Sequence, residues 1–154
     1  MIEIPNFKTL EIKHIVCDYN GTIAKDGVVL VEIKELFEEL SKQYTLHVIT
    51  ADTFGSVKTQ LKNHNTKIKV LSSDNHTKEK AQYINTLGSQ NCVAMGNGNN
   101  DKDMLLTSAI GIAILGGEGC SKDAMHNCDL MCKDISQALH LFLDTRRLVA
   151  TLRR

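Results

Sequence analysis

Net charge is what this sequence lacks first: Lys plus Arg and Asp plus Glu number 18 each. No overall field therefore draws the chain to nucleic acid or to an anionic membrane, and any phosphate must be held by local groups. Proline occurs once, at Pro5, and no Gly/Ser-rich or repeated tract divides the sequence. Linkers and internal repeats are thereby excluded, and 154 residues read as one domain over 1–154. No stretch approaches the roughly 18 consecutive apolar residues of a membrane span, and Met1-Ile2-Glu3-Ile4-Pro5 lacks the charged-then-apolar order of an export signal. A cytoplasmic protein is expected. The five cysteines are odd in number and without paired spacing, which suits free thiols better than disulfides. Cys120, His126, Cys128 and Cys132 could ligate a metal, but they lack the spacing of a structural zinc site, and buried thiols beside a surface histidine account for them.

What is present is a globular balance, 42% apolar and 23% charged, arranged as short β-branched runs alternating with segments of helical period. That alternation predicts an α/β fold with a parallel sheet between layers of helices. Strands are expected over 12–17, 45–50, 67–71, 91–95, 111–115 and 129–132, and helices over roughly 53–64, 77–87, 101–108 and 134–152. Leu30, Ile33, Leu36, Phe37 and Leu40 fall three or four apart and form one apolar stripe on a further helix. Lys25-Asp26-Gly27, between apolar pairs, predicts a small hairpin flap directly after the first strand. The arginines from Arg146 to Arg154 suit the end of a helix, in preference to a nucleic-acid arm.

Chemistry concentrates where strands end. In His14-Ile15-Val16-Cys17-Asp18-Tyr19-Asn20-Gly21-Thr22 a buried strand runs into an acid. The carboxyl ends of parallel strands face the ligand crevice, so Asp18 is a candidate nucleophile. Taken alone, it could equally cap the following turn. Downstream, Gly96-Asn97-Gly98-Asn99-Asn100-Asp101 ends another strand and would bring Asn97, Asn100 and Asp101 to the same crevice. Oxygen donors from separate strands are what a Mg2+ ion with several retained waters needs, although an ordinary capped loop would also use such residues. Thr50, at the end of the second strand, and the lysines of Thr77-Lys78-Glu79-Lys80 offer a hydroxyl and an ammonium for phosphoryl oxygens.

In this order the four pieces resemble the haloacid dehalogenase (HAD) superfamily, whose phosphatases carry Asp-x-Asp-Gly-Thr, a strand ending in Ser or Thr, a Lys, and a Gly-Asp-Gly-x-x-(Asn)-Asp loop. The resemblance covers roughly 12–115. It implies a three-layer α/β/α domain with a Rossmann-like parallel sheet, and a Mg2+-dependent phosphohydrolase acting through an aspartyl-phosphate on Asp18. It also implies a catalytic set of Asp18, Asn20, Thr50 and Lys80, phosphate held by Thr50, Ala51, Lys80 and Asn100, and metal held by Asp18, Asn20, Asn97 and Asp101. Lys80 is preferred to Lys78 because apolar Ile84 and Leu87 follow it at four and seven positions. Gly-Asn-Gly-x-Asn-Asp at Gly96 to Asp101, Gly116-Gly117-Glu118-Gly119 and the terminal arginines look most like small soluble proteins related to the phosphorylation domain of P-type ATPases.

Two departures matter. The family's second Asp, which protonates the leaving group, is here Asn20, and a carboxamide cannot exchange a proton near neutral pH. Slow turnover and a preference for leaving groups of low pKa are expected, with alkyl phosphates as poor substrates. Asn97 replaces a further metal-site Asp, which should weaken Mg2+. The intervals from Asp18 to Thr50 and from Thr50 to Lys80, 32 and 30 residues, leave no room for a cap domain. On the family's pattern an open crevice suits a phosphorylated small molecule closed in by a neighbouring copy of a homo-oligomer, or a protein-borne phosphate. The competing reading is a binding or regulatory module that has kept the fold and lost useful turnover.

Overall fold

The structure is a computed structural model that describes residues 1–51, 55–61 and 66–154. The chain opens with a hairpin of β1 (Ile2–Ile4) and β2 (Lys8–Leu10), then enters the main sheet at β3 (His14–Asp18). The flap β4 (Ala24–Lys25) and β5 (Val28–Val29) and helix α1 (Val31–Leu40) precede β6 (Thr45–Thr50), α2 (Ser56–Leu61) and β7 (Thr66–Val70). The chain continues through α3 (His76–Leu87), β8 (Cys92–Gly96), α4 (Lys102–Thr107) and β9 (Ile110–Ile114). It ends with α5 (Lys122–His126), β10 (Leu130–Cys132), α6 (Ile135–Leu143) and α7 (Thr145–Leu152).

Six parallel strands form the sheet in the order β10-β9-β8-β3-β6-β7. Alternate residues of each strand feed opposite faces. Ile15, Cys17, Leu46, Val48, Val93, Met95 and Ile112 join Ile33, Phe37 and Leu40 of α1 and Leu139 and Phe142 of α6 in one buried cluster. Val16, Ile49, Ala94 and Ala113 join Ile84 of α3, Met104 and Leu105 of α4 and Ala124 of α5 in the other. The result is the three-layer α/β/α arrangement expected from the sequence. Each fully buried aliphatic side chain contributes about 1.5–3 kcal/mol of transfer free energy. The stripe of α1 therefore fixes which face of that helix meets the sheet.

β3 sits between β6 and β8, and the chain builds outward from it first on one side and then on the other. The carboxyl end of β3 is thus the point where strand order reverses, where open α/β sheets bind ligands. The flap follows immediately. Its turn residues Asp26 (φ 51°) and Gly27 (φ 82°) are both left-handed, as a two-residue hairpin loop matching strand twist requires. Gln60 of α2 straps the flap down, accepting from Val29 N at 2.7 Å and donating to Gly27 O at 3.1 Å.

Several boundaries differ from those expected. The helix expected over 53–64 is described as α2 alone, and its expected ends lie outside the described residues. The single helix expected over 134–152 is two, because Asp144 leaves helical geometry (φ −130°, ψ 90°) and its carboxylate accepts from Arg146 N at 3.2 Å, capping α7. The segment opening at Asp101 starts as a 3-10 turn, Asn99–Asp101, before α4. The first hairpin and α5 have no counterpart among the expected elements. No cap domain is inserted among the described residues of the two intervals flanking Thr50. No helix among the described residues is long and apolar enough to cross a membrane.

Candidate active site

Asp18 closes β3 and opens into a cavity of about 240 Å³ at the carboxyl edge of the sheet. Tyr19, Asn20, Thr50, Ala51, Leu71, His76, Lys80, Asn97, Gly98 and Asn100 complete its lining. The backbone after Asp18 turns sharply: the carbonyl of Tyr19 accepts from the amides of Thr22, Ile23 and Ala24 at 3.1 to 3.2 Å. That turn carries Asn20 past the mouth and sends the Tyr19 ring beneath the flap. There its hydroxyl donates to Gly27 O at 2.8 Å and accepts from Gln60 Nε2 at 3.0 Å.

The cavity floor is organised by Lys80, only 3% exposed and reaching in from α3. Its ammonium donates to Asp18 Oδ1 (2.9 Å), Asn100 Oδ1 (3.0 Å) and Asp101 Oδ1 (2.8 Å), which occupies all three of its N–H donors. Burial works against its charge, but Asp18 and Asp101 outweigh burial and hold the ammonium above its ordinary range. Burial, and then repulsion from Asp101, push the Asp18 carboxyl up to about 7 against the pull of Lys80.

Asp101 is sealed. It is fully buried, its Oδ1 meets Lys80, and its Oδ2 accepts from the amides of Asn97 (3.0 Å) and Gly98 (2.9 Å). A Cβ added at Gly96 would lie 2.5 Å from Asp101 Cγ and Oδ2, so the strand end must be glycine for this carboxylate to tuck in. Asn97 hangs between two loops: its Nδ2 donates to Gly119 O at 3.1 Å, and its Oδ1 lies 3.5 Å from Thr22 Oγ1. Thr50 is 3% exposed at the end of β6.

The residues of the four motifs come together here. Asp18, Asn20, Thr50, Ala51, Lys80, Asn97 and Asn100 line the cavity, and Asp101 stands behind Lys80 without reaching its surface. His76, one helical turn before Lys80, is a cavity residue that the motifs do not include. Its four-residue spacing from Lys80 on one helix face was the available signal.

A divalent cation fits the donor chemistry. Asp18, Asn20 and Asn97 all line the cavity, so a carboxylate and neutral oxygens, the hard donors that Mg2+ takes alongside retained waters, would be available to it there. Among the described residues no group of three or more His, Cys, Asp or Glu side chains is placed to hold a metal ion.

The same architecture recurs among solved structures. The 3-deoxy-D-manno-octulosonate 8-phosphate phosphatase of Moraxella catarrhalis, solved with magnesium, phosphate and the sugar acid, superposes with a TM-score of 0.72 over 93% of this chain and 94% of its own, at 16% identity. The fold is that of the HAD superfamily. A zinc-transporting PIB-type ATPase contains the HAD fold too, with a TM-score of 0.64 at 17% identity, covering 80% of this chain and 20% of the transporter. In sequence, the uncharacterized protein MJ0073 of Methanocaldococcus jannaschii is 43% identical over 61 residues, 40% of this chain and 66% of that one. No protein-family model matches the chain.

Proposed function

We propose that the protein is a Mg2+-dependent phosphohydrolase in which Asp18 forms an aspartyl-phosphate. The observation that carries this reading is the placement of Asp18 at the strand-order reversal, open to a polar cavity and paired there with Lys80. In this reading an Asp18 oxygen attacks phosphorus in line with the departing oxygen. Thr50, the Ala51 backbone and Asn100 hold the equatorial phosphoryl oxygens, and Lys80 joins them by exchanging its bond to Asp18 for one to the phosphoryl group, which offsets the charge.

Asp18, the Asn20 carbonyl and Asn97 are the cation ligands this arrangement favours. When bound, the cation neutralises phosphoryl charge and lowers the barrier to attack. The family resemblance implies that Asp101 touches the cation directly. With both of its oxygens engaged, its role in this reading is instead to hold Lys80 and fix the loop that presents Asn97 and Asn100. Asn20 cannot serve as the general acid or base, so without help from another side chain water attack on the aspartyl-phosphate is slow and the phosphoenzyme accumulates. The cavity, with no cap domain over it among the described residues, suits a phosphorylated small molecule or a phosphate carried on another protein.

The test is incubation with acetyl phosphate and p-nitrophenyl phosphate in Mg2+ buffer, for the native chain and for Asp18→Asn. Turnover together with an acid-stable phosphoenzyme, both lost in Asp18→Asn, is the expected result. Absence of both from the native chain favours a binding module instead.

A further inference from the structure

With Asn20 unable to give a proton, the leaving group lacks a donor unless another side chain supplies one. The cavity lining narrows the choice. Asp18 is the nucleophile of the proposed reaction. The three donors of Lys80 are all engaged, and the Tyr19 hydroxyl is turned to the flap. His76 remains. It is half-buried and lines the cavity, and among the described residues its ring makes no hydrogen bond.

Its position along α3 is the decisive feature. α3 follows a strand whose carboxyl end is at the crevice, so the helix begins there and runs away from it. His76 is its first residue and Lys80 lies one turn deeper, about 6 Å along the axis at 1.5 Å per residue. Both face the same cavity. A phosphoryl group seated on Asp18 and Lys80 directs its leaving oxygen away from Asp18, toward the mouth, because attacking and departing oxygens lie in line. His76, at the start of α3 and one turn before Lys80, is the lining residue of that helix nearer the mouth.

Resting on the phosphohydrolase reading, we propose that His76 is the general acid of this site and takes over the proton transfer that Asn20 cannot perform. As Asp18 Oδ bonds to phosphorus, the P–O bond to the leaving group breaks and its electron pair stays on the leaving oxygen. That oxygen takes a proton from the His76 imidazolium and departs as a neutral alcohol. In the second half, water attacks the aspartyl-phosphate and passes its proton to the neutral imidazole. The P–O pair returns to Asp18 as carboxylate, and phosphate leaves. The low-pKa preference expected from Asn20 alone is correspondingly relaxed, and phosphate monoesters of ordinary alcohols enter the substrate range.

Phenyl phosphate and p-nitrophenyl phosphate test this, since they have nearly the same shape and differ in how much the departing oxygen needs a proton. kcat/KM reports all steps through departure of that oxygen. His76→Gln is expected to lower kcat/KM for phenyl phosphate about 100-fold more than for p-nitrophenyl phosphate, the lower end of what a general acid contributes. Both esters are assayed on one preparation, so partial misfolding cancels in the ratio. Equal losses on the two esters, or a ratio unchanged from the native chain, overturn the role of His76 while leaving the phosphohydrolase reading standing. No turnover of either ester and no phosphoenzyme in the native chain overturn both.

Discussion

The Lys80 ammonium lies 2.9 Å from Asp18 Oδ1, on side chains only 3% and 13% exposed. An ion pair this buried owes its existence to complete hydrogen bonding more than to Coulomb gain, and removing one member is far costlier than replacing the whole set. Lys80→Met leaves Asp18 and the fully buried Asp101 beside each other without a cation. The expected loss is about 3–5 kcal/mol at pH 7.5, read as a fall in the urea midpoint. It should shrink toward pH 5, where the raised Asp18 carboxyl takes up a proton. A constant loss across that range would show that Lys80 is needed for packing and not for charge.

Asp18 itself is a source of instability. Its carboxyl is raised to about 7, chiefly by burial and then by Asp101. An unfolded aspartate ionises near 4. Between about pH 4 and 7 the folded state therefore holds a proton that the unfolded state has lost, so stability falls as pH rises through this window, and the deficit is complete above 7. Asp18→Asn is expected to be more stable than the native chain by on the order of 2 kcal/mol at pH 8 and equal to it near pH 4, while losing all phosphoenzyme. Denaturant titrations of both proteins at the two pH values measure this. A variant less stable at pH 8 would mean that Lys80 stabilises ionised Asp18 more than burial opposes it.

A second buried polar chain responds to acid. His47 is fully buried in β6, its Nε2 3.1 Å from His14 Nδ1 and its Nδ1 2.7 Å from Tyr83 OH. Burial, aided by His14 and Lys67, lowers its pKa to about 4. The unfolded histidine takes a proton below about 6.5, whereas the folded one resists to about 4. Stability is therefore whole above 6.5 and falls as pH drops toward 4, by roughly 3 kcal/mol. His47→Gln should flatten that part of the stability profile, measured by urea midpoints from pH 8 to 4.5. An unaltered slope would place the acid sensitivity elsewhere.

Much of this is readable in the sequence, for physical reasons. The continuous apolar run of β3 and the three-to-four period of α1 report burial directly, and β6 falls at the residues expected. Polar residues at strand ends point to the crevice because parallel sheets place all those ends on one edge. The break at Asp144 is hidden because apolar spacing continues across it, from Leu139 and Phe142 to Leu148 and Leu152, and only the capping bond interrupts the helix. The three bonds of Lys80 and the Gln60 strap join residues 20 to 62 positions apart. Such contacts are products of the fold and leave no local period. His76 falls between these cases. Its spacing from Lys80 is visible, but its value emerges only once the helix is known to start at the cavity mouth.

Asn97 offers the sharpest test of the cation site, because the two states of that site pull one substitution in opposite directions. Its amide donates to Gly119 O at 3.1 Å. Asn97→Asp removes that donor and sets a carboxylate oxygen against a carbonyl, at a cost of about 1–2 kcal/mol, so the metal-free variant should melt lower than the native chain. In the proposed site the same change adds a second carboxylate to a cation now served by Asp18 and two neutral oxygens. Two carboxylates are common at protein Mg2+ sites, and Mg2+ affinity should rise at least tenfold, about 1.4 kcal/mol. Ligand binding stabilises the folded state through RT ln(1 + [L]/Kd), so the order of melting should reverse as Mg2+ is titrated. Melting curves from zero to about 20-fold the native dissociation constant would reveal the crossing. Parallel curves that never approach each other would exclude Asn97 from the cation's ligands and return Asp101 to that role.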